Sequence, residues 1–186
     1  MMDLQDHLLI AMPGLKDSYF YRTVIYMCEH NEQGSMGLVI NQPTDLSLAE
    51  LGAKMNFMMK TDRIYRNKLV LAGGPVNTDR GFILHTPTEQ TFQHSYKASD
   101  SLTLTTSADV VDTFGTAFEP EKYLVALGCA SWEPQQLEHE IMENSWLVVP
   151  ATDNILFELP YEQRWAAANA LLGIRAHNFT SQVGRS

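Results

Sequence analysis

Cys28, Glu29 and His30 stand side by side in the stretch CEHNEQGSMG. A thiol near an imidazole is the raw material of a reactive thiolate, because an adjacent imidazolium lowers the thiol pKa. His85, at the end of GFILH, adds a second imidazole. A thiol-based enzyme or sensor would use Cys28 as its reactive centre and His30 and His85 as proton partners. The same residues offer three zinc-type ligands, but the C-x-x-C spacings of zinc sites are absent and no metal is expected. Alternate residues of a strand share a face, so Val24, Tyr26, Cys28 and His30 are expected together, with Glu29 on the other side. Cys28 and His30 can then converge. The competing reading is a small buried thiol and a histidine bonded to the turn backbone.

Other candidate motifs fall short. HEIME has Glu143 where a zincin helix needs its second histidine. GCASW has Ala130 where a nucleophile elbow needs serine, so Ser131 is expected to cap a following helix. AGGPV, with Gly73 and Gly74, follows a strand but lacks the G-x-G-x-x-G spacing, and no Walker sequence occurs. No cofactor is expected.

The elements that must position these residues can be sketched from periodicity. RTVIYMCEH and GLVIN read as a hairpin, closed before Pro43. Ser47 and Glu50 form a capping box for a helix whose apolar stripe is Leu48, Leu51, Met55 and Met58 or Met59. KLVLAG, GFILH, LTLTT, YLVALG and WLVVP read as further strands. Short helices are expected after Ser107 and Pro134, and a last one after Pro160, ending at Gly173. Strands joined by hairpins and scattered helices point to α+β with a mixed, mainly antiparallel sheet. One domain over 1–174 and a loose polar tail over 175–186 are expected.

The chain has 186 residues and a formal charge of −9. That sign opposes a general attraction to nucleic acid, and KTDRIYRNK, the most basic stretch, reads as a solvated connector. No apolar run reaches the ~18 residues of a membrane span. Two cysteines, Cys28 and Cys129, make no disulfide framework, and a cytoplasmic protein is expected.

The blocks LLIAMPGL, CEHNEQGSMGLVINQP, LAGGPVNTDRGFILHTP, LTTSADVV and GCASWEPQQLEHEIMENSWL run in order along nearly the whole chain. In this the chain resembles the YqgE/AlgH family of bacterial proteins. The resemblance implies a bifurcated, partly barrel-like sheet surrounded by helices, in a cytosolic protein. Its recurrent positions include Cys28, Glu29, His30, Asn41, Gly73, Gly74, His85, Trp132 and Glu138. It implies no established activity, only a transcriptional-regulator label. Cys129 departs from the aromatic residue usual at its place. The expected role is regulatory, through a small molecule or a protein partner rather than DNA.

Overall fold

The structure, a computed structural model, describes residues 3–12, 20–54 and 68–183. Met55, Met58 and Met59 of the expected stripe, and Lys60, Arg63 and Arg66 of the basic stretch, lie outside them.

The strands are β1 (His7–Ala11), β2 (Val24–Asn31), β3 (Gly34–Val39), β4 (Pro43–Ser47), β5 (Leu69–Ala72), β6 (Val76–His85), β7 (Ser95–Lys97), β8 (Thr103–Thr105), β9 (Tyr123–Trp132) and β10 (Trp146–Pro150). The helices are α1 (Leu48–Lys54), α2 (Gln136–Met142) and α3 (Arg164–Val183). Short turns of 3₁₀ helix (Ala108–Thr113, Tyr161–Gln163) and of π helix (Asn154–Glu158) complete the set.

The sheet runs β10-β1-β2-β3-β9-β6-β8-β7, and β9 carries its fork. One edge of β9 pairs antiparallel with β6. The other edge is shared end to end. Ala126 and Leu127 pair in parallel with β5, and Ala130 to Trp132 pair antiparallel with β3. The changeover falls at Gly128, whose φ is +81°. Gly73 donates to the Leu127 carbonyl at 2.8 Å and accepts from the Val39 amide at 2.8 Å, which ties the two branches together.

Alternation along the strands sorts the core into an inner cluster and two outer ones. Leu8, Ile10, Val24, Tyr26, Leu38, Leu84, Leu124 and Ala126 face inward, where Leu156 and Ala168 cover them. Leu9, Ile25, Met27, Val39, Trp132 and Trp146 face outward under Leu137 of α2. Val70, Ile83, Tyr123 and Val125 face outward under Leu48 of α1 and Val110 and Phe114 of the 3₁₀ turn. The phase slips at Gly128. Leu124 and Ala126 are inner residues, yet so is Cys129, and Ala130 and Trp132 are outer.

The α+β class and mainly antiparallel sheet agree with expectation. The capping box forms, with the Glu50 amide donating to Ser47 Oγ at 3.1 Å. Several expectations fail. β1, β4 and β7 were not expected, being short or lacking alternation. The hairpin does end ahead of Pro43, at Val39, but Pro43 then opens the unexpected β4. Ser131 caps nothing, because β9 runs on to Trp132 and α2 begins only at Gln136, after the left-handed Gln135. α3 passes through Gly173 to Val183, so the expected stop is absent; helical hydrogen bonds tolerate a glycine at modest cost.

A Cβ on Gly74 would lie 2.1 Å from the Cys129 carbonyl carbon, and one on Gly128 would lie 2.4 Å from the Gly74 oxygen. Both contacts are with backbone, which cannot step aside. Gly74→Ala or Gly128→Ala is expected to cost about 2–4 kcal/mol in denaturant titration. Gly81→Ala, where a Cβ meets nothing within 4 Å, should stay within about 0.5 kcal/mol of wild type.

Candidate functional site

β2 does not deliver Cys28 and His30 to one face. Met27 pairs with Gly37 and Glu29 with Met36, so Cys28 is an extra residue, a β-bulge. Directly paired residues share a face. Beyond the bulge the phase of β2 is therefore reversed. Cys28 stays in the inner cluster with Val24 and Tyr26, while His30, opposite Ser35, turns to the outer side. The expectation that they converge is corrected by that one residue.

Cys28 is fully buried, and its thiol lies 3.9 Å from the Tyr26 carbonyl. Burial, then the neighbouring Cys129 and Glu29, push its pKa well above the ordinary thiol value. Cys129 is raised too, chiefly by burial. Neither thiol has the electropositive, accessible setting of a reactive cysteine.

His30 anchors α2 to the sheet. Its Nδ1 accepts the Leu4 amide at 3.3 Å, so Nε2 carries the proton and donates to Glu138 Oε1 at 2.5 Å. The imidazole side chain is 1% exposed and the carboxylate 25%. Two residues on, Glu140 Oε1 accepts both indole N–H groups, from Trp132 at 3.3 Å and Trp146 at 3.0 Å. The two indoles meet edge to face with centroids 6.1 Å apart. The sequence reading missed Glu140; its i,i+2 relation to Glu138 carries no helical signal.

His85 is buried elsewhere, at the far end of β6. Its Nδ1 donates to the Thr86 carbonyl at 2.8 Å and its Nε2 accepts from the Thr105 hydroxyl at 2.7 Å. Burial lowers its pKa, which keeps it neutral, and both ring nitrogens are occupied. Asn41 is a backbone bracket, accepting from the Val24 amide and donating to the Arg22 carbonyl, each at 2.9 Å. Among the described residues no three His, Cys, Asp or Glu side chains are grouped to hold a metal.

Two concave features adjoin these elements. The blocks CEHNEQGSMG and SWEPQ meet in an open polar groove of about 410 Å³, bordered by Glu29, Asn31, Ser35, Ser131, Glu133 and Gln136. A partly open, mainly apolar cavity of about 100 Å³ lies between α1 and the outer face of β6 and β9. Its walls are chiefly Leu48, Leu51, Ile83, Val111, Phe114 and Val125, with Asp79 and Ser107 as polar points.

A forked, half-barrel α+β sheet with short covering helices is the class that this geometry defines. The chain belongs to the AlgH-like family, whose model matches residues 8–177. It is 71% identical to a UPF0301 protein of Pasteurella multocida over 99% of both chains. It is 66% identical to one of Haemophilus influenzae over the whole of both. Among solved structures, the AlgH protein of Pseudomonas aeruginosa is 43% identical, with a TM-score of 0.77 over the full length of both chains. A Corynebacterium diphtheriae protein, 19% identical, shares the fold, with a TM-score of 0.70 over 90% of this chain and 86% of its own.

Thiol chemistry tests the placement of Cys28. In a Cys129→Ala background, native Cys28 should label slowly, at the rate of global opening. Cys28→Ser should cost about 1–3 kcal/mol through an unpaired buried hydroxyl, and Cys28→Ala less. The folded-state thiol pKa is raised, so its stabilising contribution is complete below the unfolded pKa of about 8.5 and is lost as pH rises beyond it. Stability between pH 7 and 10 should therefore fall further with Cys28 present than in Cys28→Ala, measured by denaturant titration at each pH.

Proposed function

We propose that the protein is a cytosolic regulatory protein that works by binding a small, largely apolar molecule rather than by catalysis. The observation that carries this reading is the mainly apolar, partly open cavity beside α1. Its size is comparable with that of engineered apolar cavities that take up benzene (about 150 Å³). Asp79 would orient a polar end of the ligand, as the few polar groups of ligand pockets commonly do.

The alternative, an enzyme or thiol sensor centred on Cys28 with His30 and His85, finds less support. The thiol has no solvent access, and the two imidazoles are each held by other partners. Direct DNA binding is opposed by the charge of −9. No helix among the described residues is long and apolar enough to cross a membrane.

Toluene or indole, added at saturation, should raise the melting temperature of the wild type. Val111→Phe, which places a ring at the half-buried cavity wall, should abolish the rise. Equal rises in both proteins would show binding elsewhere. Fluorescence anisotropy with duplex DNA at physiological salt should show no sequence-dependent binding below micromolar concentration.

A further inference from the structure

The cavity beside α1 has one ionisable residue on its wall, Asp79. Asp79 is exposed, whereas Ile83, Phe114 and Val125 are buried, so the carboxylate stands at the mouth and the apolar wall lies behind it. Alternation along β6 puts Asp79, Gly81 and Ile83 on the cavity side. A Cβ on Gly81 would meet nothing within 4 Å, so open space runs between the carboxylate and Ile83. The hydroxyls on the wall are already engaged. Ser107 Oγ donates to Asp109 and accepts from the His94 amide at 3.0 Å, and Thr106 Oγ1 accepts from Arg80 at 3.4 Å. Among the described residues Asp79 has no cation within ion-pair distance.

The described charges on the surrounding elements do not neutralise Asp79. Arg80 is on the other face of β6, with its guanidinium 5.9 Å from the ring of Phe82, a residue of the inner cluster. Lys68 lies over the Tyr123 ring, where Glu119 acts on it. The 3₁₀ turn that walls the cavity carries two more carboxylates, Asp109 and Asp112, and α1 carries Glu50 at its cap. We propose that this cavity takes a primary amine on a small apolar body, with the ammonium received by Asp79 and the body held among Leu48, Ile83, Val111 and Phe114. The inference rests on the reading of the cavity as a ligand site and names the class of that ligand. An ammonium brings donors to a carboxylate that has none, and the apolar body leaves water for an apolar wall. A carboxylic acid would set like charge against Asp79, and an alcohol would forgo the charge.

Isothermal titration with benzylamine tests it, with benzyl alcohol as the neutral analogue and phenylacetate as the anionic one. Benzylamine should bind saturably with one site per chain, about threefold tighter than benzyl alcohol, the scale of an ion pair at an open mouth. Phenylacetate should bind more weakly than either. Added salt should narrow the gap between amine and alcohol. Asp79→Asn keeps the shape and removes the charge. It should bring benzylamine down to the level of the alcohol while leaving the toluene response intact. Val111→Phe should abolish benzylamine binding. The proposal is overturned if benzyl alcohol or phenylacetate matches benzylamine, if Asp79→Asn or Val111→Phe binds benzylamine unchanged, or if benzylamine gives no saturable heat. A toluene response that persists through any of these outcomes leaves the cavity reading standing, and its absence removes both.

Discussion

The fold depends on a backbone crossing with no room for side chains. Gly73 and Gly74 pass over Gly128 and Cys129 so closely that a single Cβ would penetrate the opposing chain. This crossing lets one edge of β9 serve two strands in succession, β5 in parallel and β3 antiparallel. The left-handed Gly128 also reverses the in-out phase of β9, so that the same strand packs under α1 at its start and under α2 at its end.

A second phase reversal, at Cys28, does for β2 what Gly128 does for β9. It leaves the thiol in the inner core and swings His30 outward to Glu138. The conspicuous triplet of the sequence thus becomes a fastening. His30 and Glu138 fix one side of α2, and Glu140 with two indoles fixes the other. Buried polar groups satisfied in this way specify one docking geometry for a seven-residue helix that would not persist alone. Cys28, His30 and His85 are each buried and bonded within the fold, and the apolar cavity lies beside α1 over the forked half of the sheet.

The same half of the sheet carries a buried cation. In a chain of net charge −9, Arg164 is 4% exposed, held by the Ile40 and Leu159 carbonyls and the Tyr161 ring, beside a partly apolar cavity that Lys68, Lys122, Glu121 and Glu158 also line. Leu48, the first residue of α1, stands between this cavity and the apolar one, so the placement of α1 shapes both. The capping box at Ser47 and Glu50 is therefore more than a local stop signal. It sets where Leu48 begins the helix and where the partition between the cavities stands.

The sequence by itself determined the α+β class, most of the longer strands, the Ser47 cap and the family, because these rest on local propensity and on motifs contiguous in the chain. It did not determine β1, β4 or β7. Their short segments are strands only through their neighbours: β1 between β2 and β10, β4 against β5, and β7 against β8. It misplaced His30 because the face of a strand residue is counted from a fixed period, and a bulge that shifts the count by one has no signature at Cys28. Nor did it show that Arg164, next to Trp165 on an expected helix, lies against the carbonyl of Ile40, 124 positions away. Charge, burial and reach were all local facts. Which charges meet a partner, and which are left facing a cavity, was decided only when distant segments were folded together.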